Sequence, residues 1–493
     1  MNELLIDLDT HTKASLYEQI YESVRRDIMG GRLSCGERLP SARLLAANLQ
    51  VSRSTVDAAY AQLVSEGYIQ AKRGSGYYVC DVTGLYDFAQ SRAFEGNFGR
   101  QAKRDTVRHE NMKPVSGQAD CLYNFLPGQI DTNGFAYNAW RKCAKEALLD
   151  LEARQQLLQL GHPQGEYALR SAVCAYLYRA RGVRCEPEQI IVGAGNEYLL
   201  LLLGQVLGTP RRVAMESPTY LQAYDTFCRI GYTVEAVPMD ADGMLPGEIP
   251  DTDVSLAYVM PSHQFPLGTV MPLRRRLELL AWAEAHPQRY VIEDDHDSEF
   301  RYKGRQIPSL QGMAKLDRVI YLGTFSNSIM PSARVSYMVL PLPLLAAYEK
   351  TCAFYASTVS RMQQMTICRF LEQGYFERHL NKMRGIYKGK HDLLLQLLKG
   401  KHWVQRIYGG NAGLHIAAEL SCALTEKEIA VRAEVFGMRV QGMSECYIAG
   451  RKKPDEMPVL LLGFGNLTEK QIREGVAILE RCVCDAAGNV LYH

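Results

Sequence analysis

The sequence lacks the features of a membrane protein and those of a strongly charged protein. Its longest apolar stretches are shorter than a bilayer span, and residues 1–12 contain no basic segment followed by a long apolar run. Lysine and arginine number 56 against 54 aspartate and glutamate residues, which gives a formal net charge of +2. We therefore expect a cytoplasmic protein whose overall charge indicates neither a polyanion binder nor an acidic protein.

Cysteines are present but are not arranged in pairs. The chain contains 13 of them, and only Cys482 and Cys484 have the spacing of a motif. An odd, scattered set in a large chain without a secretory signal favours reduced thiols. Because no second cluster of ligands lies near Cys482 and Cys484 in the sequence, we predict no metal site.

The length and the local charge distribution indicate more than one domain. A chain of 493 residues exceeds one ordinary hydrophobic core, and its hydrophobic content of 47% is that of a globular protein. Positive charge is concentrated near the N-terminus, where the segment 32–73 contains six basic residues and three acidic ones. This uneven distribution is typical of a small nucleic-acid-binding module.

The N-terminal segment predicts three helices. Apolar residues recur at helical spacing over 16–28, which indicates a first amphipathic helix. Ser41 is placed as the N-cap of a second helix and Ser52 as the N-cap of a third. Because only a short turn at Gln50-Val51 separates these two helices, the pattern predicts a helix-turn-helix.

The segment that follows the third helix predicts a β-hairpin. Residues 68–79 form two strand-like runs around a basic, glycine-containing tip. The third helix begins with Ser52-Arg53-Ser54-Thr55, which places short hydroxyl groups and an arginine at the end that a recognition helix directs into the major groove. The N-terminal module is therefore predicted to be a small winged helix-turn-helix, mainly α with a β wing.

The order of these motifs resembles the DNA-binding domain of GntR-type bacterial regulators. The resemblance is carried by Leu39-Pro40-Ser41-Ala42-Arg43, Val51-Ser52-Arg53-Ser54-Thr55-Val56, Gly67-Tyr68 and Gly74-Ser75-Gly76. It implies that six residues contact double-stranded operator DNA, the basic ones mainly through phosphates. These residues are Arg43, Ser52, Arg53, Thr55, Lys72 and Arg73.

Beyond the winged helix, the chain loses and then regains periodicity. We predict a DNA-binding domain at 13–80, a linker at 81–120 and a large domain at 121–493. In the large domain, short apolar runs alternate with amphipathic segments, which predicts an α/β fold with a mainly parallel sheet. The predicted strands are 190–192, 212–215, 233–237, 256–260, 290–293, 319–322 and 336–340. The stretch from about Tyr355 predicts a smaller C-terminal α+β subdomain.

Motifs of the large domain occur in the order of a fold type I, class I aminotransferase-like domain. Two strings resemble the MocR/GabR subfamily of GntR regulators more specifically than aminotransferases in general. They are Pro261-Ser262-His263-Gln264-Phe265-Pro266 and Asp294-Asp295-His296-Asp297-Ser298-Glu299-Phe300-Arg301-Tyr302. With the winged helix, this resemblance covers essentially the whole chain.

The resemblance implies that part of a pyridoxal 5'-phosphate site is retained. Asp294 matches the partner of the pyridine nitrogen, and Tyr220 matches the aromatic residue that stacks on the ring. The phosphate ligands are matched by Thr324, Ser326, Arg334 and, through backbone amides, Gly195.

Other positions depart from that pattern. Asn327 occupies the position of the lysine that forms the Schiff base, and an amide nitrogen is not nucleophilic. His296 replaces the tyrosine expected to bond the phenolic oxygen of the cofactor, and Glu197 lies where a carboxylate repels phosphate. An arginine expected near Gln222 is absent. We therefore expect pyridoxal phosphate to be held non-covalently if it binds, with no aldimine.

Three interpretations of the large domain stay open. It binds pyridoxal phosphate through its remaining ligands, it binds another small molecule, or it serves only for dimerisation. The resemblance implies a homodimeric, head-to-tail transcriptional regulator without transaminase activity, whose effector the sequence does not identify. The alternative is a pyridoxal phosphate-dependent aminotransferase with a DNA-binding appendage, against which Asn327 argues.

Overall fold

The computed structural model describes residues 15–72, 75–80, 121–150, 157–251, 253–302, 308–448 and 457–484, together with Ile6, Leu8 and Val490. The chain divides into two compact units, Met1–Ser116 and Gly117–His493. Arg73 and the predicted linker at 81–120 lie outside the described residues.

The first unit is a winged helix, as predicted. Its elements are α1 (Leu16–Met29), α2 (Ala42–Leu49), α3 (Arg53–Ser65), β1 (Ile69–Lys72) and β2 (Gly76–Val79). Ser41 and Ser52 cap α2 and α3, because each hydroxyl accepts a hydrogen bond of 3.2 Å from the amide three residues later. Gln50 ends α2 in a left-handed conformation with φ 54°, which makes the tight turn into α3. The two strands of the wing pair antiparallel.

The three helices of this unit enclose a small apolar core. Ile20, Val24, Val56 and Leu63 are fully buried between α1 and α3, and Ile69 of the wing extends the same cluster. The Tyr60 hydroxyl donates a hydrogen bond of 3.0 Å to the backbone oxygen of Pro40, at the entrance to α2. This core fixes the direction of α3 from its buried face and leaves the first turn of α3 at the surface.

The described part of the second unit contains a seven-stranded sheet, a four-stranded sheet and two two-stranded sheets. The strands of the unit are β3 (Tyr123–Asn124), β4 (Ile190–Gly193), β5 (Arg212–Glu216), β6 (Thr233–Val237), β7 (Met239–Asp240), β8 (Gly243–Met244), β9 (Val254–Val259), β10 (Tyr290–Asp295), β11 (Val319–Thr324), β12 (Ser336–Val339), β13 (Val404–Tyr408), β14 (His415–Leu420), β15 (Met438–Arg439), β16 (Gln441–Gly442) and β17 (Val459–Gly463).

The α-helices in the described part of the second unit pack against the large sheet or against the smaller one. They are α4 (Tyr137–Leu149), α5 (Tyr167–Arg181), α6 (Asn196–Leu207), α7 (Leu221–Arg229), α8 (Leu273–Glu284), α9 (Leu310–Met313), α10 (Leu342–Thr351), α11 (Arg361–Glu372), α12 (Tyr375–Leu398), α13 (Glu426–Val435) and α14 (Glu469–Val483). Short 3-10 helices occur at Pro187–Gln189, Pro246–Glu248, Pro331–Ala333 and Met443–Cys446.

All seven predicted strands belong to the large sheet, whose order is β4-β12-β11-β10-β9-β5-β6. Strands β11, β10, β9, β5 and β6 run parallel to one another. Strand β12 is antiparallel to both of its neighbours, β11 and β4. Strand β4 therefore runs in the same direction as β11. The carboxyl ends of β4, β5, β9, β10 and β11 consequently meet at one edge, where open α/β sheets bind ligands.

The C-terminal part has the predicted α+β character. The helices α11 and α12 come first, and a four-stranded antiparallel sheet in the order β13-β14-β17-β16 follows. The helices α13 and α14 share the main apolar cluster with β14 and β17. Among the described residues, no helix combines the length and apolar character needed to cross a bilayer.

Candidate functional site

The first turn of α3 presents polar groups to solvent. The side chain of Arg53 is 70% exposed and lies 3.4 Å from the carboxylate of Asp57. The Ser52 hydroxyl accepts a hydrogen bond from the Thr55 amide and thereby caps the helix. The Thr55 hydroxyl lies 2.7 Å from the Ser52 hydroxyl and so contacts this cap. The exposed arginine and the orienting cap lie at the helix end for which DNA contacts are predicted.

The other predicted DNA contacts have different surroundings. Arg43 is an exposed residue in the first turn of α2. The ammonium group of Lys72 lies 4.8 Å from the ring centre of Tyr78 across the wing. A cation held on an aromatic face keeps its charge available to a phosphate. Arg73 lies outside the described residues, so its predicted contact has no structural counterpart here.

A cavity of about 550 Å³ in the second unit brings together every predicted cofactor residue. These residues are Gly195, Tyr220, Asp294, His296, Thr324, Ser326, Asn327 and Arg334. They come from the carboxyl ends of β10 and β11 and from the segments after β4 and β5, which is the edge that the sheet order predicts for a ligand. The volume is that of a site for a small organic molecule.

Asp294 forms one end of the cavity. Its side chain is almost fully buried and accepts hydrogen bonds from the Tyr258 hydroxyl at 2.5 Å and from the Asn196 amide at 3.2 Å. Burial raises the pKa of Asp294, although the charge of His296 and the hydrogen bonds oppose that shift. A buried carboxylate of this kind favours a ligand that donates a hydrogen bond to it from a protonated group.

Hydroxyl groups cluster at the end of β11. The Thr324 hydroxyl donates to the Ser326 hydroxyl at 3.0 Å and accepts from the Ser336 hydroxyl at 2.9 Å. The Ser326 amide also donates to the Thr324 hydroxyl at 3.1 Å. The two predicted phosphate ligands therefore lie side by side at the end of β11.

The charged part of this predicted phosphate site contains an internal ion pair. The Arg334 guanidinium lies 2.7 Å from the carboxylate of Glu197, which is in the first turn of α6. Gly195 precedes α6 with φ 99°, and a Cβ at this position would lie 2.3 Å from the same guanidinium. Glycine therefore permits the close approach of Arg334 to the helix N-terminus.

Asn327 is fixed by the backbone of the neighbouring segment. Its side-chain amide donates a hydrogen bond of 3.1 Å to the backbone oxygen of His296. The residue thus links the turn after β11 to the turn after β10. Among the described residues that line the cavity, none is a lysine.

His296 lies beside a second imidazole and a carboxylate. Burial opposes protonation of His296, but Asp297 and then Asp294 outweigh it and raise the pKa of the ring. Asp297 accepts a hydrogen bond of 2.9 Å from His263 Nδ1. Ligand atoms of His263, His296 and Asp297 lie within 4.8 Å of one another, a grouping that could hold a metal ion and that the sequence spacing did not indicate.

Tyr220 lies on the wall of the cavity beside Phe265. Their ring centres are 6.0 Å apart with an interplanar angle of 88°, an edge-to-face contact. Gln222, where the sequence lacks an expected arginine, also lines the cavity. Both rings line the cavity, and the stacking of Tyr220 on a ligand ring stays a prediction.

Sequence reasoning missed two polar residues at this site. Tyr258 donates to Asp294, and a tyrosine in the mainly apolar strand β9 is a signal for it, because a buried hydroxyl requires a partner. His415 also lines the cavity, and its Nε2 lies 2.9 Å from the backbone oxygen of Pro266. Burial, followed by the effect of His263, lowers the pKa of His415 to about 4.

The residues fit only part of pyridoxal phosphate. Asp294 and Tyr220 suit the pyridine ring. At the phosphate end, the carboxylate of Glu197 contacts one nitrogen of the half-exposed Arg334 guanidinium, so a dianion would meet a negative charge there. The aldehyde has no amine partner, because Asn327 occupies the position predicted for one. Among the described lining residues, pyridoxal phosphate would therefore meet no lysine, and the arginine there is paired with Glu197.

Comparison with known proteins assigns both units to families. Residues 16–79 match the family described as bacterial regulatory proteins, gntR family, and residues 131–450 match aminotransferase class I and II. The second family is pyridoxal phosphate-dependent. The chain is also similar in fold to Pyrococcus horikoshii kynurenine aminotransferase, with a TM-score of 0.66, 24% identity and coverage of 78% of this chain and 98% of that one.

Two relatives match nearly the full length. The chain is 37% identical to the uncharacterized HTH-type transcriptional regulator YdeL of Bacillus subtilis (strain 168), over 94% of this chain and 96% of the relative. It is 30% identical to the probable rhizopine catabolism regulatory protein MocR of Rhizobium meliloti, over 96% of this chain and 94% of the relative. The protein therefore belongs to the MocR-type GntR transcriptional regulators, in which a helix-turn-helix domain precedes an aminotransferase class I and II domain.

Proposed function

We propose that this regulator binds operator DNA through the first turn of α3 and the wing. The observation that carries the proposal is the exposed Arg53 at the end of a recognition helix whose cap is formed by Ser52. Arg43, Thr55, Lys72 and Arg73 complete the proposed contact set. The DNA-binding domain at 13–80 is joined through the linker at 81–120 to a sensing and dimerisation domain at 121–493. Because its partner is the chromosome, the protein acts in the cytoplasm.

An electrophoretic mobility shift assay tests this proposal, with the purified protein and a DNA fragment from upstream of its gene. We expect Arg53→Ala and Arg43→Ala each to weaken specific binding about tenfold, because each removes a positive charge near the phosphates. Arg274→Ala is the matched control, since Arg274 is a surface arginine of the other unit with a side chain that is 92% exposed. Absence of a specific shift with the native chain, or unchanged binding by both variants, would contradict the proposal.

The large domain acts, in this proposal, as a sensor without transaminase activity. Asn327 supports this role, because its amide cannot form a Schiff base and provides no base for proton transfer at the substrate carbon. A ligand is instead held non-covalently by Asp294, Tyr220, the strand-end hydroxyls and His296. The ligand binds one arrangement of the two DNA-binding domains of the dimer more tightly than another. Its binding therefore shifts the protein towards that arrangement.

In this proposal the large domain also forms the contact between the two subunits of a homodimer. The subunits are arranged head-to-tail, as the family resemblance implies. Leu158 and Leu160 are 91% and 87% exposed, which supports their burial against a second copy. Sedimentation equilibrium of the purified chain tests the dimer. A monomer at micromolar concentration would exclude it.

A further inference from the structure

The phosphate end of the cavity contains an anion that the chain itself supplies. The Glu197 carboxylate lies 2.7 Å from Arg334 Nη2, and burial, followed by the charge of Glu197, raises the pKa of the Tyr220 hydroxyl. Tyr220 and Arg334 come from two separate segments, one after β5 and one after β11. Glu197 lies in the first turn of α6, where the helix dipole stabilises negative charge. The carboxylate therefore places a negative charge on the arginine that the family resemblance assigns to a phosphate, whereas the Thr324 and Ser326 hydroxyls bond each other.

At the opposite end of the cavity, the buried carboxylate of Asp294 has no positively charged hydrogen-bond donor among the described residues. The two side chains that donate to Asp294, Tyr258 and Asn196, are neutral. A carboxylate that is 3% exposed is stabilised by a charged donor more than by neutral ones. A protonated ring nitrogen on a ligand supplies such a donor at this position.

The charge of the lining agrees with both ends. Among the described residues around the cavity, five are acidic, one carries a guanidinium, and His296 is an imidazole whose pKa is raised, because Asp297 and Asp294 outweigh the effect of its burial. The carboxylates are those of Glu197, Asp225, Asp294, Asp297 and Glu445, and the guanidinium is that of Arg334. A lining of this composition attracts a cation and repels a dianion.

We propose that the cavity binds a planar nitrogen heterocycle that is protonated on its ring nitrogen and carries no phosphate group. Asp294 pairs with the ring N–H, the Tyr220–Phe265 wall faces the ring, and the Glu197–Arg334 pair closes the end where a phosphate would lie. This inference rests on the sensing role proposed above. It assigns the pocket to unphosphorylated ligands rather than to the phosphorylated cofactor of the fold family.

Isothermal titration of the full-length chain with pyridoxine and with pyridoxine 5'-phosphate tests the proposal, since these probes differ only in the phosphate. We expect the native chain to bind pyridoxine at least roughly tenfold more tightly, because Glu197 repels the phosphate at short range. In Glu197→Gln, which keeps the side-chain shape and removes the charge, we expect that preference to disappear or reverse. Glu349→Gln, an exposed position on α10, is the matched control and should leave the ratio unchanged.

Tighter or equal binding of pyridoxine 5'-phosphate by the native chain would overturn the inference, and so would the absence of binding by either probe. An unchanged ratio in folded Glu197→Gln would remove its physical basis. The comparison in the native chain needs no variant, so a poorly folding mutant cannot obscure it. The DNA mobility measurement judges the regulator proposal separately, because it requires no ligand in the cavity.

Discussion

One ion pair from each unit of this regulator illustrates two different uses of charged side chains. In the winged helix, Arg53 and Asp57 have side chains that are 70% and 45% exposed and lie 3.4 Å apart. In the large unit, Arg181 and Asp295 have side chains that are 2% and 1% exposed and lie 2.6 Å apart. An exposed pair contributes little to stability and remains available to a partner, whereas a buried pair cannot lose one member without a large cost.

This difference separates the residues that support the fold from those at which the sequence predicts a departure from the family's cofactor site. The buried Arg181–Asp295 pair supports the strand end that carries Asp294, and it belongs to the scaffold rather than to the cavity lining. Asn327 and Glu197 line the cavity and can differ from the family pattern without disturbing that scaffold. Fold and chemistry depend on different residues, so one can be retained while the other changes.

The strongest way to test the comparison is to remove one member of the buried pair. We expect Arg181→Ala to lower the free energy of unfolding of the large unit by about 3–5 kcal/mol, because Asp295 is left as a buried unpaired charge. Tryptophan fluorescence during denaturation measures this unit, since Trp140, Trp282 and Trp403 are the three tryptophans of the chain.

Arg179→Ala is the matched control on the same helix. Arg179 lies 3.3 Å from Glu377, with side chains that are 67% and 47% exposed. We expect its loss to cost less than about 1 kcal/mol. Similar destabilisation by both substitutions would contradict the distinction between scaffold pairs and surface pairs.

The substitution Asn327→Lys tests whether the cavity can form a Schiff base with pyridoxal phosphate once an amine is present. We expect Asn327→Lys to give a visible Schiff-base absorption band with pyridoxal phosphate, while the native chain gives none. Adding Glu197→Gln should increase the apparent affinity about tenfold, or about 1.4 kcal/mol, because the phosphate no longer meets a carboxylate.

The control for the lysine variant is the native chain with Glu197→Gln alone. Without a lysine in the cavity, this variant should bind more pyridoxal phosphate and still show no Schiff-base band. A band in the native chain, or in this single variant, would show that another amine reaches the ligand.

The smallest expected effect concerns the surface of the winged helix. We expect Ser52→Ala to destabilise the start of α3 by about 1 kcal/mol, because the Thr55 amide loses its cap. Hydrogen exchange of the first amides of α3, followed by mass spectrometry of the full chain, measures this change. Ser34→Ala is the control, since Ser34 uses backbone atoms to bond Glu37. Equal protection of α3 in the native chain and Ser52→Ala would argue against the cap.

Local patterns predicted the elements of this protein well. The caps at Ser41 and Ser52 and all seven strands of the large sheet were predictable, because helix caps and apolar periodicity involve residues a few positions apart. The antiparallel direction of β12 was not predictable in the same way, since an apolar run reads alike in either direction. The predicted cofactor residues came from the family resemblance, and the sheet order brings them to one cavity.

The sequence by itself determined two units, their secondary structure and the absence of a lysine at position 327. Only the tertiary structure decided which groups meet in the cavity. Tyr258 is 36 residues from Asp294, and Glu197 is 137 residues from Arg334. Such pairs depend on strand order and on the loops that cross the sheet edge, which no short sequence pattern specifies. The ion pair at the phosphate end is therefore a property of the fold, although each of its residues is visible in the sequence.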